Sequence, residues 1–182
     1  MFDCGIPFSR MKDGLKKVDT LLITHSHTDH IKASTFNKIR SEFPEILICA
    51  NADVAYQYDV DKIVGTMPFI LPGNRRVIPF DGVHDVPVTG YVLQLKKLNI
   101  LYMTDTARVD PPDLPFDYMF LESNFDERKL KEQAKKYQRR GYDPYLSVTR
   151  HLSTQKCKEF YYVHRRNDKS ILIELHKSSR FY

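Results

Sequence analysis

Four side chains that can bind a metal ion fall within six residues of the sequence, in the segment H-S-H-T-D-H that begins at His25. The segment directly follows residues 18–24, an apolar and β-branched run that predicts a buried strand. In an extended chain His25 and His27 share a face. The turn that follows can direct Asp29 and His30 at a second point nearby. Imidazole with carboxylate is a ligand set for zinc, and manganese and iron are also compatible with it, so the motif predicts a metal site at the end of a strand.

The rest of the chain alternates between short apolar runs, which predict strands, and stretches with apolar residues at helical spacing. After the metal-binding motif, Phe36, Ile39 and Phe43 recur at helical spacing, and Pro44 marks the end of that helix. Further helices are predicted at 53–58, 126–140 and 153–164, and further strands at 46–50, 76–80, 90–95, 99–104, 117–122 and 170–175. Strands interleaved with helices indicate an α/β protein with layered sheets and helices outside them. With 182 residues the chain is predicted to form one domain, 1–182.

Composition and charge exclude several classes of protein. Hydrophobic residues make up 42% of the chain, yet no apolar run approaches the ~18 residues of a membrane span, and no signal-peptide pattern opens the chain. Three widely spaced cysteines without a C-x-x-C pair favour reduced thiols in the cytoplasm. Residues 126–182 hold 15 Lys and Arg against 7 Asp and Glu. Such a basic segment can attract phosphate-bearing partners, although most basic runs are only solvated helix faces.

Further motifs follow the first one in the order of a known family. His84 stands in H-D-V-P-V-T-G-Y, Asp105 in L-Y-M-T-D-T, and Glu122 in E-S-N. His151 stands in R-H-L-S-T, and His176 in L-H-K-S-S-R-F-Y. With these motifs the chain resembles metallo-β-lactamase-fold hydrolases over nearly its whole length. It is most similar to the phosphodiesterase branch, which includes RNase Z, small bacterial exonuclease-like members and phage cyclic-nucleotide phosphodiesterases that counter Pycsar defence.

The resemblance implies an αββα sandwich with two divalent metal ions, zinc in the first place and manganese as the alternative. The implied ligands are His25, His27 and His84 for one ion, Asp29, His30 and His176 for the other, and Asp105 as the bridge between them. A hydroxide shared by the two ions would then attack phosphorus. Asp29 would also hold that hydroxide in orientation, and His151 would protonate the leaving alkoxide or donate to the phosphate. Lys177, Arg180 and Arg150 lie next to site histidines in sequence and are candidates for phosphate contacts.

The first residues depart from the pattern of the family. Its members usually open with two or more strands and a Gly/Ser/Asn-rich loop before a D-C-G segment, which here stands at residues 3–5. We therefore expect an N-terminally short sandwich in which one sheet has an unpaired edge.

The leading hypothesis is a metal-dependent hydrolase of the phosphodiesterase or nuclease type, acting on a cyclic nucleotide or on nucleic acid. The alternative is a truncated, catalytically weak homologue that binds a nucleotide or a protein partner. An esterase of the β-lactamase or glyoxalase type comes third. The basic helix at 126–140 could follow a phosphate backbone, but helical spacing assigns its aromatic residue, Tyr137, to the core, so the sequence leaves both substrate classes open. The oligomeric state is also open, with a homodimer as one option.

Overall fold

The computed structural model describes residues 1–138, 143–179 and 181–182. Within these residues the helices are α1 (Phe8–Leu15), α2 (Ala33–Glu42), α3 (Ala52–Gln57), α4 (Glu127–Gln138), α5 (Pro144–Val148) and α6 (Thr154–His164). The strands are β1 (Thr20–Leu22), β2 (Leu47–Ala50), β3 (Lys62–Ile63), β4 (Phe69–Leu71), β5 (Arg75–Asp81), β6 (Thr89–Gln94), β7 (Asn99–Met103), β8 (Tyr118–Glu122) and β9 (Ile171–Leu175). No described helix is long and apolar enough to cross a membrane.

The first sheet consists of three parallel strands in the order β1-β2-β3. Its outer face packs against α1 and α2, whose buried side chains include Leu15 and Ile39, and these meet Ile23 and Ile48 in one hydrophobic cluster. Each such fully buried aliphatic side chain stabilises the fold by about 1.5–3 kcal/mol. This contact places the two helices in the first outer layer.

The second sheet has six strands in the order β4-β5-β6-β7-β8-β9, antiparallel up to β7 and parallel from β7 to β9. Its outer face packs on α6, where Cys157 joins a cluster with Leu101 and Met119. Between the two sheets, Tyr91 is fully buried and donates a hydrogen bond of 2.7 Å to Ile23 O. The layers therefore run helix, sheet, sheet, helix, which confirms the predicted α/β sandwich.

The first residues run along the free side of β1. Asp3 N donates to Leu22 O at 3.0 Å, and Leu22 N donates to Met1 O at 2.9 Å. Cys4 N then donates to His30 O at 2.7 Å, which ties this segment to the metal-binding motif. The edge that the sequence leads us to expect as unpaired is thus bonded over this short stretch.

Most predicted elements agree with the structure to within two residues. Ser153, the predicted N-cap of α6, accepts a hydrogen bond from Lys156 N. The predicted end of the helix at 126–140, with Gly141 as its stop, lies outside the described residues. Helices α1 and α5 and strands β3 and β4 were not predicted. The last three span five residues or fewer and are too short to show a period, whereas α1 carries Phe8, Met11 and Leu15 at helical spacing, a signal that could have found it.

Candidate metal centre

Potential metal ligands converge where the carboxyl ends of β1, β7, β8 and β9 meet. They form three overlapping clusters, in each of which the donor atoms lie within 4.8 Å of one another. The clusters are His25, His27, His84 and Asp105; Asp105, Glu122, His151 and His176; and Asp29, His30 and Asp105. All seven predicted ligands fall in these clusters, and Asp105 is common to the three. His176, however, lies in the cluster with Glu122 and His151 and not in the one with Asp29 and His30, to which the prediction assigns it.

The side chains reach this point because the chain turns sharply where the strands end. Asp105 follows β7 with φ of 48°, and His176 follows β9 with φ of 50°. A left-handed backbone costs an ordinary residue about 1–2 kcal/mol, so packing and side-chain contacts must hold both conformations. Strands β7, β8 and β9 are parallel, which brings their carboxyl ends to one edge of the sheet.

His25 provides the test of whether the site fits a cation. Its side chain is completely buried, and its Nδ1 lies 2.9 Å from Thr24 Oγ1. Its Nε2 has no hydrogen-bond partner among the described residues, although Asp105 Oδ2 lies 3.4 Å away. A buried polar atom without a partner costs about 1–3 kcal/mol. Because this nitrogen points into a cluster of two further imidazoles and a carboxylate, the donor set fits a divalent cation.

Electrostatics in the site centre on Asp105. Burial alone raises the pKa of Asp105, but contacts with three imidazoles, foremost His176, hold it far below its usual range. Burial alone lowers the pKa of His30, but hydrogen bonds to Asp105 and Asp3 raise it to about 10. Hydrogen bonds to Asp105 and Glu122 raise the pKa of His176 to about 10 as well. Protons and metal ions compete for these nitrogens, so cation binding here releases protons.

Asp3, which has no predicted role, supports two of the candidate ligand histidines. Its carboxylate accepts hydrogen bonds from His30 Nδ1 at 2.9 Å and from Thr24 N at 2.8 Å. Thr24 Oγ1 also lies 3.0 Å from this carboxylate and 2.9 Å from His25 Nδ1. One carboxylate thereby orients His30 directly and His25 through Thr24. The D-C-G segment was the only sequence signal for it.

Glu122, noted in the sequence only as part of a motif, orients the other side of the site. Its side chain is fully buried and accepts hydrogen bonds from His151 Nδ1 at 2.6 Å and from His176 Nδ1 at 2.9 Å. Two backbone groups, Thr106 N at 2.7 Å and Leu152 N at 3.1 Å, donate to its second oxygen. With Nδ1 bound to Glu122, His151 is left with Nε2 for other contacts.

A family model described as the beta-lactamase superfamily domain matches residues 4–176, nearly the whole chain. The chain belongs to the beta-lactamase superfamily. No curated protein matches it significantly in sequence.

Several solved structures share the fold of this chain. The metallo-β-lactamase fold protein YhfI from Bacillus subtilis aligns with a TM-score of 0.69 and 15% identity, over 97% of this chain and 73% of its own. A diphosphatase from the PhnP family aligns with a TM-score of 0.65 and 16% identity, over 99% of this chain and 68% of the diphosphatase. Human tRNase Z, short form, aligns with a TM-score of 0.56 and 16% identity, over 98% of this chain and 82% of the tRNase. Family membership supports the predicted enzyme class, a metal-dependent hydrolase.

Asp29 and the three basic residues predicted to contact phosphate differ in their surroundings. Asp29 is exposed, and its Oδ2 lies 3.6 Å from His30 Nε2. Lys177 lies 3.8 Å from Glu174, with its ammonium group 4.1 Å from the centre of a tyrosine ring. Arg150 forms an ion pair with Asp85. Arg180, the third residue predicted to bind phosphate, lies outside the described residues.

Gly5 is required where the D-C-G segment crosses the ligand loop of the superfamily motif. A Cβ atom at this position would lie 1.6 Å from Asp29 O and 2.7 Å from His30 N. Gly5→Ala is therefore expected to displace the ligand loop, to lower the free energy of unfolding by at least about 1–3 kcal/mol, and to weaken metal binding. Chemical denaturation and a metal titration would measure the two effects.

Gly14 provides the matched control for this substitution. It lies in α1, and a Cβ there meets no atom within 4 Å. Gly14→Ala should leave metal binding unchanged and stabilise the fold by roughly 0.5–1 kcal/mol, as expected for a helical position. Equal stability and equal metal binding in both variants would contradict the close approach of Gly5 to the ligand loop.

Proposed function

We propose that the protein is a dinuclear-metal phosphodiester hydrolase that acts on a cyclic nucleotide or on nucleic acid. The observation that carries the proposal is that Asp105 belongs to all three clusters of candidate ligands, so that one carboxylate is available to two ions. The predicted assignment, in which His25, His27 and His84 hold one ion and Asp29, His30 and His176 hold the other, remains part of the proposal. Two cations at such a site supply an activated water and neutralise charge on the phosphate oxygens.

The chain's own residues supply the remaining chemistry. Glu122 holds His151 by its Nδ1, so the imidazole can present Nε2 to a leaving alkoxide or to a phosphate oxygen. Asp29, exposed at the mouth of the site, is placed to orient the attacking water as well as to bind metal. Half-buried Asp3 and fully buried Glu122 hold the candidate ligand imidazoles in orientation, which lowers the cost of reorganisation during the reaction.

A phosphorus-containing substrate is favoured over a β-lactam or a thioester. Two of the structures with this fold are a diphosphatase and a tRNase. Exposed basic residues of α4, among them Arg128, Lys129 and Lys131, add surface charge that suits a polyanion. A cyclic nucleotide needs only the compact site, so both classes stand in the proposal.

The ions, the location and the oligomeric state complete the proposal. Zinc is placed first because histidines dominate the donor set, with manganese as the alternative. All three cysteines are free and buried, and burial raises the pKa of Cys4 to about 12, as suits unreactive thiols in the cytoplasm. A homodimer remains the proposed alternative to a monomer.

A turnover screen tests the proposal. The metal-loaded protein would be offered 3′,5′-cyclic mononucleotides, single-stranded DNA and RNA, and bis-p-nitrophenyl phosphate, with nitrocefin and a thioester as controls. We expect hydrolysis of the phosphodiesters and no reaction with the two controls. Two bound ions with nucleotide binding but no turnover would instead support the catalytically weak homologue. Turnover of nitrocefin or of the thioester alone would contradict the proposed substrate class.

A further inference from the structure

We propose that a cavity beside Asp29 and His30 holds the base of a cyclic mononucleotide, and that Arg10 donates hydrogen bonds to that base. The cavity lies between α1, residues 2–6 and β7, and has a volume of about 380 Å³. The inference rests on the proposed function and makes it more specific, because it favours a cyclic mononucleotide over nucleic acid as the substrate.

The cavity adjoins the candidate metal centre. Asp29 and His30 belong to its wall and also to the cluster that they form with Asp105. The side chain of Asp29 is 63% exposed, whereas that of His30 is 10% exposed. A phosphate bound by cations at this cluster would therefore lie at one end of the cavity. A group attached to the phosphate would extend into the cavity.

Most of the wall is apolar. The rings of Phe2 and Tyr102 stack with their centroids 4.1 Å apart, and both side chains are half-buried. Ile6 and Met11 add to the apolar surface. Small-molecule sites typically combine apolar and aromatic walls with a few polar groups that fix orientation. The base is the planar, aromatic part of a nucleotide, so it fits this wall better than the sugar or the phosphate does.

Arg10 supplies the polar group that would orient the base. It is exposed at the wall of the cavity and forms no ion pair within the described part of the chain. Asp3 and Tyr102, also in the wall, are engaged with each other, because the Tyr102 hydroxyl donates to Asp3 Oδ2 at 3.3 Å. A guanidinium only donates hydrogen bonds, and every base has acceptor atoms on its edge. Arg10 is therefore complementary to the edge of a base.

The size and charge of the cavity favour a single nucleotide. Small-molecule pockets occupy roughly 300–1,000 Å³, and this cavity is near the lower end of that range. A polymer would need basic side chains at successive phosphates. Among the described residues, the wall contains one such side chain, that of Arg10. The cavity thus suits one base next to one phosphate.

Gly14 offers a way to fill the cavity. It lines the cavity from α1, one helical turn after Arg10. A Cβ atom at this position meets no other atom within 4 Å, so a larger side chain would enter open space. Leucine also has a higher helix propensity than glycine. Gly14→Leu should therefore exclude the base while α1 remains folded.

Binding of nucleotide fragments to the metal-loaded full chain tests the inference. Calorimetry would compare 5′-AMP with ribose 5-phosphate, which has the same sugar and phosphate but no base. We expect AMP to bind at least about 10-fold more tightly, as one stacked base would give. Gly14→Leu should remove this preference, and Arg10→Ala should reduce it by about 5-fold or more. Both variants should keep their metal content.

Two substitutions away from the cavity are matched controls. Gly65 is exposed, and a Cβ atom there meets no atom within 4 Å, so Gly65→Leu adds the same side chain elsewhere. Arg165→Ala removes an arginine that pairs with Asp168 just after α6. Both controls should keep the preference for AMP over ribose 5-phosphate. Circular dichroism of all four variants establishes that they are folded.

Two results would overturn the inference. The first is equal binding of AMP and ribose 5-phosphate by the parent protein, or an undiminished preference for AMP in folded, metal-loaded Gly14→Leu. The second is an equal loss of turnover of single-stranded RNA and of a 3′,5′-cyclic mononucleotide in Gly14→Leu, because a base of the polymer would then use the cavity. A preference for AMP in a parent protein that hydrolyses no phosphodiester would contradict the proposed function and leave the base-binding cavity intact.

Discussion

Asp105→Ala is expected to abolish the proposed phosphodiester hydrolysis and to remove most of the occupancy of one of the two proposed metal ions. The carboxylate is common to all three ligand clusters, and His176 Nδ1 and His30 Nε2 lie 2.6 Å and 3.1 Å from its oxygens. Without it, no single group among the described residues joins the donor sets. Loss of one cation removes several kcal/mol of charge stabilisation, so the rate should fall by ~10³-fold or more.

Metal analysis of the purified variant, together with its turnover of bis-p-nitrophenyl phosphate, measures both effects. Asp110→Ala is a suitable control, because Asp110 is an exposed aspartate that pairs with Arg108 at the surface. Two ions still bound per chain in Asp105→Ala would show that Asp105 is a turn residue whose positive φ serves the backbone alone.

His151→Ala is expected to keep both metal ions and to slow hydrolysis of a natural phosphodiester by ~10²–10⁴-fold, the usual weight of general acid catalysis. Glu122 fixes the imidazole through a 2.6 Å hydrogen bond to Nδ1, which leaves Nε2 to give a proton. The loss should be smaller for a p-nitrophenyl ester, because p-nitrophenolate leaves without being protonated. Rates for both substrates and the metal content of the variant measure these effects.

Three outcomes distinguish the roles open to His151, which also lies in a ligand cluster with Asp105, Glu122 and His176. A metal ligand would lose metal and both activities together. A phosphate-binding group would lose both activities equally with metal retained. His164→Ala, at the far end of α6, is the control and should change neither activity nor metal content.

Much of the fold and of the candidate ligand cluster could be predicted because their signals are local. The apolar run before His25 and the four ligand types within six residues are adjacent in sequence, so periodicity and spacing suffice to recognise them. The later residues, Asp105 and His176, are predictable as candidate ligands because each stands at the end of a strand-like run within a motif. Such motifs also supplied the family and, through it, the expected division of ligands.

The sequence could not show how these residues are supported. Asp3 bonds to His30 across 27 residues, and Arg150 pairs with Asp85 across 65. Nothing at these positions distinguishes a supporting carboxylate from an ordinary loop aspartate, because the partner arrives only when the sheets pack.

The local pattern of residues was enough to predict an α/β sandwich with histidine and aspartate side chains, the candidate ligands, at the ends of its strands. Packing of the sheets was needed to show that Asp105 belongs to all three clusters, that Glu122 orients His151, and that Asp85 faces His84. The physical reason is that strand and helix periods arise from neighbouring residues, whereas hydrogen bonds and shared ligands depend on which ends of the two sheets meet in space.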